Sequence, residues 1–193
     1  MARPREFDID KALDRALKVF WRKGYEGASL ADLTEAMGIN RPSLYAAFGS
    51  KAELFHKAIE RYAEGPAAYI REALAEPTAR AVAERWLRGA VELLSDRRHP
   101  RGCLVVQGAL ACSAESESIR KELNARRAAT EAALCRRFEQ AIKDGDLPAD
   151  AHAADLARYL AMVTQGMAVQ AAGGANREEL QRVAQIALRA WPG

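Results

Sequence analysis

The sequence has few cysteines and no long apolar run. Cysteines stand at positions 103, 112 and 135 of 193 residues, too few for a disulfide framework. If Cys103 and Cys112 lie in one helix, their separation places them on opposite faces, so they cannot hold one metal ion together. The start Met-Ala-Arg-Pro-Arg-Glu is charged and no apolar stretch of about 18 residues follows it, so we expect neither signal peptide nor membrane span. These absences predict a protein of the reducing cytoplasm, without metal ion or cofactor.

Residues that favour strands are also scarce. β-Branched side chains are few, whereas Ala and Leu are abundant, and this balance favours helices. With 49% hydrophobic residues, the chain can bury a full core without disulfides. We therefore predict an all-α fold of about nine helices. The net charge of +3 is too small to indicate nucleic-acid binding by itself, so the positions of the charges matter more than their sum.

Motifs of catalysis are missing as well. There is no Gly-x-Ser-x-Gly sequence and no glycine-rich phosphate loop, and His56, His99 and His152 fall in three different predicted segments. His99 and Cys103 are close in sequence, but a proline and a glycine between them argue against a helix that would align them as a catalytic pair. The sequence therefore does not predict an enzyme.

The most informative stretch is Gly24–Phe55, which predicts two short helices joined by a tight turn. Ser29 suits the N-cap of the first helix because its hydroxyl can accept an unpaired backbone N–H. Gly38 suits the left-handed position that ends this helix. Asn40 can cap the next helix, with Pro42 in its first turn, where a missing N–H does no harm. The pattern predicts a helix-turn-helix.

The second of these helices has a distinctive outer surface. Leu44 and Phe48 fall on one side, which leaves Arg41 and Ser43 to face outward. No Asp or Glu occurs from residue 36 to residue 52. A helix without carboxylates and with small side chains can approach a phosphate-lined groove without repulsion.

This stretch resembles the N-terminal domain of the TetR family of bacterial transcriptional regulators. The resemblance covers roughly residues 8 to 62. The matching pattern is Leu-Tyr-x-x-Phe-x-x-Lys-x-x-Leu-Phe, formed by Leu44, Tyr45, Phe48, Lys51, Leu54 and Phe55. Ala47 departs from the Tyr or His often found before the Phe, and Asn40 replaces the usual Ser or Thr cap.

The resemblance implies two domains and a regulatory function. Residues 1–64 would form the DNA-binding domain, with the helix-turn-helix at about 29–48, and residues 65–193 the ligand-binding and dimerisation domain. The implied protein is a homodimeric repressor that binds an inverted-repeat operator in double-stranded DNA and is released by an unknown small molecule. A helical adaptor that binds proteins is the alternative class, but an adaptor would not need a recognition helix free of carboxylates.

The same resemblance assigns roles in DNA contact. The residues concerned are Ser29, Arg41, Pro42, Ser43, Tyr45 and Lys51. Arg41 is the best candidate to read a guanine edge, because its planar fork can donate two hydrogen bonds, and Ser43 could contact an adjacent base. The helix N-terminus at Ser29, the Tyr45 phenol and the Lys51 ammonium suit phosphates.

Two C-terminal helices, predicted at about 150–172 and 177–191, carry the expected dimer interface. In the family such helices pair with their copies in a four-helix bundle. The residues expected there are Leu156, Leu160, Val163, Gly166, Met167, Leu180, Val183, Ala187 and Leu188. An ordinary hairpin within one chain remains the alternative.

Two further expectations concern the body of the protein. The candidate ligand-lining residues are Trp86, Leu104, Gln107, Leu110, Phe138, Met162 and Gln165, each of which could equally be plain core. The run from Arg101 to Leu104 resembles a segment of TetR-like regulators that respond to electrophiles or oxidants, which makes Cys103 a candidate sensor. Free cysteine is also among the most buried residue types, so a purely structural role stays open.

Overall fold

A computed structural model describes residues 7–110 and 116–192, and every regular element in these ranges is an α-helix. The first four helices are α1 (Ile9–Gly27), α2 (Leu30–Met37), α3 (Arg41–Phe48) and α4 (Lys51–Glu64). The next three are α5 (Tyr69–Leu74), α6 (Ala79–Ser95) and α7 (Leu104–Leu110). The last three are α8 (Glu117–Lys143), α9 (Ala153–Ala172) and α10 (Arg177–Arg189).

The all-α prediction is confirmed, but the described ranges contain ten helices where about nine were expected. The difference lies after α4, where Gly65 leaves the helical region and the connection forms the separate short helix α5. The apolar run of residues 103–112 predicts a short buried helix. The observed helix α7 begins at Leu104, and Cys112 lies outside the described residues.

Helices α1 to α4 form a small unit that we call the head. The predicted caps at Ser29 and Asn40 are confirmed: Ser29 forms a reciprocal capping box with Asp32, and the Asn40 side chain accepts the backbone N–H of Ser43 at 2.9 Å. Ser50 forms a second capping box with Glu53 at the start of α4. These bonds pair backbone donors that otherwise have no partner within the helix.

The core of the head is aromatic and aliphatic. Phe20 of α1 packs edge-on against Phe55 of α4, with ring centroids 4.9 Å apart, and both rings are fully buried. For α1, the apolar spacing predicts an inward Ile9 and Lys23-Gly24 predicts a stop. The first prediction is wrong, since Ile9 is 55% exposed and the buried part of α1 begins at Ala12. Gly24 does leave the helical region, with a φ of 70°, although the element continues past this kink to Gly27.

Helices α5 to α10 form the body around a second core. Helix α8 packs against α9, and α6 packs against α5, α9 and α10. Gly89 of α6 permits the close crossing with α5, because a Cβ atom built there would lie 2.5 Å from the Tyr69 ring. The largest buried side chains of this core include Trp86, Leu87, Phe138 and Leu160.

The head and the body share buried contacts at α7 and the start of α8. Leu104, Ile119 and Leu123 belong to the same buried cluster as the head core. The indole N–H of Trp21 in α1 donates to the backbone carbonyl of Gly102, at 3.1 Å. The side-chain core therefore crosses the boundary predicted at residues 64 and 65.

Candidate functional site

The outer surface of α3 presents the residues expected to contact DNA. Leu44 and Phe48 are buried in the head core, as their spacing predicted. Arg41 and Pro42 are exposed in the first turn of α3, and 48% of Tyr45 is accessible to solvent. With Leu44 and Phe48 anchored in the core, the first turn and the middle of α3 remain accessible to a partner.

The N-terminus of α2 is already occupied by the protein's own side chain. Asp32 accepts the Ser29 backbone N–H at 3.0 Å and the Ser29 hydroxyl at 2.8 Å, and the Lys23 ammonium lies 2.6 Å from its other oxygen. The Lys23 and Ser29 bonds hold the pKa of Asp32 down to about 2, so it stays ionised. A phosphate that approaches this end meets a carboxylate as well as backbone donors.

Lys51 stands at the first position of α4, directly after the turn that follows α3. Its Nζ atom lies 4.5 Å from the centroid of the Tyr25 ring, a cation–π geometry. Partial burial lowers the pKa of Lys51, and the nearby Glu26 opposes this shift. The ammonium is therefore positioned by the head rather than free in solvent.

A cavity of about 320 Å³ lies between the head and the body. Its apolar wall comes mainly from α4, α6 and the α5 and α7 regions, and includes Ile59, Tyr62, Ile70, Trp86, Leu93 and Val106. Its polar side chains come from α8 and α9 and are Arg126, Arg127, Thr130, Glu131, Thr164 and Gln165. Its size matches the lower end of small-molecule pockets, which are about 300–1,000 Å³.

The structure brings two of the predicted lining residues, Trp86 and Gln165, to this cavity. Leu104 and Phe138 are instead buried in the two hydrophobic cores, and Met162 is 65% exposed on α9. Gln107 is not part of the wall, and the side chain of Leu110 lies outside the described residues.

Cys103 also lines the cavity, at the junction with the head. The Tyr62 hydroxyl donates to its Sγ atom at 3.3 Å. Burial raises the pKa of Tyr62 well above its ordinary value, so its hydroxyl stays protonated and remains a donor. The Tyr62 ring in turn packs edge-on against Trp21, with centroids 4.7 Å apart. A chemical modification of the Cys103 thiol would therefore disturb Tyr62 of α4 first and, through the ring contact, Trp21 of α1 next.

Helices α9 and α10 carry an exposed apolar face, which we call the α9–α10 face. It consists of Met162 and Val169 on α9 and Val183 and Ile186 on α10, between 45% and 65% exposed. Of the residues expected at a dimer interface, Gly166 and Val183 are exposed, and Leu156, Val163 and Leu188 are half-buried. The remaining four face the core of their own chain: Leu160, Met167, Leu180 and Ala187.

Comparison with known proteins identifies the family. Residues 12–58 match the family described as bacterial regulatory proteins, tetR family, and residues 75–187 match the tetracyclin repressor-like C-terminal domain. The chain belongs to the TetR family of bacterial regulatory proteins. The resemblance inferred from the helix-turn-helix is thereby confirmed.

Relatives within this family cover the chain almost completely. The HTH-type transcriptional repressor ComR of Escherichia coli (strain K12) is 35% identical over 192 residues, which span 98% of this chain and 91% of ComR. The TetR family transcriptional regulator CifR, solved with 26-bp double-strand operator DNA as a variant with three substituted cysteines, is 47% identical with a TM-score of 0.93. That match spans 99% of this chain and 100% of CifR. A putative TetR regulator from Rhodococcus sp. RHA1 is 44% identical with a TM-score of 0.66, over 94% of this chain and 97% of the other.

The sequence reasoning missed the polar side of the cavity, above all Arg126 and Arg127. A signal for it exists in α8, where no large apolar residue occurs between Leu123 and Leu134 although the helix is otherwise anchored in the core. In this chain, the interruption directs Arg126, Arg127 and Thr130 into the cavity, where core residues would otherwise lie. Within the described ranges, no helix has both the length and the apolar character needed to cross a membrane.

Proposed function

We propose that this TetR-family chain is a homodimeric transcriptional repressor of the bacterial cytoplasm that binds an inverted-repeat operator and is released by a small molecule. The observation that carries the proposal is the open surface of α3, where Arg41, Pro42 and Tyr45 face solvent and no carboxylate occurs from residue 36 to residue 52. ComR is named as a repressor and CifR has been solved on operator DNA, which supports this role for a chain of similar length and fold.

The contacts divide into those that specify the sequence and those that position the protein. Arg41, exposed in the first turn of α3, is the candidate for a bidentate contact with guanine, and Ser43 for a neighbouring base. Tyr45, Lys51 and the backbone at Ser29 are candidates for phosphate contacts, which carry no sequence information. Because the Asp32 carboxylate repels a phosphate, the backbone at Ser29 is the weakest of these three candidates for a phosphate contact.

Selection of bound DNA from a random pool tests the proposal. The wild-type protein should enrich an inverted repeat, because two copies of α3 in a dimer read two equivalent half-sites. Arg41→Ala should lose preference at one position in each half-site, by about 1–3 kcal/mol. Lys51→Ala should weaken all sequences alike and reduce the salt dependence by about one unit of slope. Arg71→Ala, an exposed arginine of α5, is the matched control and should change neither property. Enrichment of no sequence at all would refute DNA recognition.

The α9–α10 face is the proposed dimer interface. Four large apolar side chains at least 45% exposed on one pair of helices are what a four-helix bundle between two copies would cover. Ile186→Glu would place a charge on this face and should shift the protein to monomers in sedimentation velocity. Gln185→Glu adds the same charge at a neighbouring exposed site and should leave the dimer intact. A dimer that survives Ile186→Glu at micromolar concentration would place the interface elsewhere.

The cavity is the proposed effector site. Ile59 and Tyr62 of α4 line it, and α4 also packs through Phe55 against α1, so an occupant of the cavity touches the helix on which the head is built. A small molecule that fits better when the two heads are wrongly spaced for the operator must weaken DNA binding by its difference in affinity for the two states.

A second candidate function is an electrophile or oxidant sensor at Cys103. The specific observation is the position of Sγ at the cavity wall, where it accepts the Tyr62 hydroxyl, so a modification of the sulfur must displace Tyr62. With iodoacetamide, the sulfur would form a bond to the CH₂ carbon, expel iodide and release the thiol proton to solvent.

Alkylation separates the sensor from the plain repressor. Treatment of the wild type with iodoacetamide should lower operator affinity at least about tenfold, since a bulky adduct would displace Tyr62 from its packing against Trp21. Cys103→Ser should bind the operator as well as the wild type and be insensitive to the reagent. Equal loss of affinity in both proteins would assign the effect to another cysteine and exclude Cys103 as the sensor.

A further inference from the structure

We infer that the cavity is selective for small apolar anions, carboxylates in the first place, and that Arg127 is the residue that holds the anionic group. This inference rests on the proposed function of the cavity as the effector site. It adds the chemical class of the ligand and the residue that selects it.

Arg127 has no acidic partner among the described residues, although it lines the cavity. Its NH1 nitrogen donates to the Asn124 side-chain oxygen at 3.3 Å, and its NH2 nitrogen donates to the Gln165 side-chain oxygen. Both acceptors are neutral. Its Nε atom is buried and has no hydrogen-bond partner in the described part of the chain.

The other charged groups of the wall are already paired. Arg126 binds Glu122 on its own helix, with both guanidinium contacts near 3 Å. Glu131 lies 3.2 Å from Arg158 of α9. Because Glu131 is neutralised by Arg158 and Arg126 by Glu122, the charge of Arg127 has no counter-ion within residues 7–110 and 116–192.

An anion satisfies this group better than any other ligand. Guanidinium presents several N–H donors in a planar fork that matches a carboxylate, and an unpaired polar nitrogen away from water is unfavourable until it finds an acceptor. A cationic ligand would instead be repelled. The rest of the ligand meets Ile59, Ile70, Trp86 and Val106, which are apolar. The lining of the cavity therefore favours a ligand with an apolar body and one anionic end. The cavity volume of about 320 Å³ limits this ligand to a small molecule.

A matched pair of probes tests this directly. Octanoate and octanamide have the same chain and nearly the same shape, but only octanoate is charged at neutral pH. We expect isothermal titration calorimetry with the full chain to show octanoate at least about tenfold tighter, since hydrogen bonds to charged groups are stronger than those between neutral groups. Arg127→Gln should bring the two affinities within about twofold of each other.

Three variants control the test. Arg136→Gln removes one exposed arginine from the same helix and should preserve the preference for octanoate. Arg127→Lys keeps the charge and should retain part of the preference, which guards against a folding defect in Arg127→Gln, and circular dichroism verifies both. Ala168→Leu fills the cavity wall from a buried position and should abolish binding of both probes.

The proposal is overturned if neither probe binds, if octanamide binds as tightly as octanoate, if the preference survives Arg127→Gln, or if Ala168→Leu leaves octanoate binding unchanged. None of these measurements includes DNA. If the chain selects an operator but fails these binding measurements, only the proposed ligand class is refuted. If the chain passes them but selects no DNA, only the proposed function as a repressor is refuted.

Discussion

Trp21→Phe measures how strongly the head is tied to the body. The Trp21 indole is buried and its N–H donates to the Gly102 carbonyl at 3.1 Å, 81 residues away in sequence. Phenylalanine keeps an aromatic ring in the site but removes the donor, so the buried carbonyl loses this partner. A buried polar group left unpaired costs about 1–3 kcal/mol. The smaller ring adds a further loss of packing.

Trp191→Phe provides the reference for that further loss. Trp191 is as deeply buried and packs against Phe138 with ring centroids 5.2 Å apart, but its indole nitrogen has no hydrogen-bond partner among the described residues. The same substitution there removes similar surface without breaking a hydrogen bond. Trp191→Phe also removes a buried unpaired N–H, so the difference between the two variants combines that gain with the loss of the bond from Trp21 to Gly102.

Urea unfolding at one fixed protein concentration is the assay, because dimerisation makes apparent stability depend on concentration. With a slope of about 2 kcal/mol/M, a difference of about 2 kcal/mol lowers the midpoint of Trp21→Phe by about 1 M more than that of Trp191→Phe. Equal midpoints for the two variants would show that the contact between Trp21 and the 99–103 loop contributes nothing to stability. The hydrogen bond to Gly102 would then not hold the head to the body.

Three shorter predictions concern the head and the α5–α6 crossing. Asn40→Ala removes the cap of α3 and should lower the free energy of unfolding by about 1 kcal/mol, seen as a lower melting temperature, together with weaker operator binding. The pKa of Asp32 is held at about 2 by Lys23 and Ser29, so its stabilising effect is present above its ordinary value of 3.8 and is lost as pH falls through about 2. The difference in urea midpoint between wild type and Asp32→Asn should therefore be constant above about pH 5 and shrink below it. Gly89→Ala places a methyl group 2.5 Å from the Tyr69 ring and should destabilise the protein by about 1–3 kcal/mol, and unchanged thermal unfolding would contradict the close crossing.

Local chemistry explains why the head could be predicted from the sequence. The caps at Ser29, Asn40 and Ser50 each bond to a residue three positions on, so both partners are visible in a short stretch. The buried side of α3 also follows from spacing alone, since Leu44 and Phe48 are one turn apart.

The cavity and the α9–α10 face depend instead on packing between distant segments. Helix α9 is apolar on several sides, so its pattern could not tell that Leu160 enters the core while Met162 faces solvent. The contact of Tyr62 with Cys103 joins residues 41 positions apart, and that of Arg127 with Gln165 joins residues 38 apart. The helical periodicity of a sequence cannot predict contacts between residues so far apart. These contacts nevertheless form the polar end of the cavity.

We expect helix α4 to connect the proposed effector site with the proposed DNA-binding surface. Its inner side contributes Tyr62 to the cavity, and Phe55, about two turns earlier, packs against α1 of the head. His56 lies between them, with Nδ1 2.6 Å from a carboxylate oxygen of Glu122, whose other oxygen binds Arg126 at the cavity wall. A ligand in the cavity would therefore act on α4 directly through Tyr62, and any displacement of Arg126 would also reach α4 through the pairing of Glu122 with His56. Because coupling is reciprocal, we expect operator DNA to weaken octanoate binding by the same factor by which octanoate weakens operator binding. If calorimetry gives the same octanoate affinity with and without operator DNA, the cavity is not coupled to DNA binding.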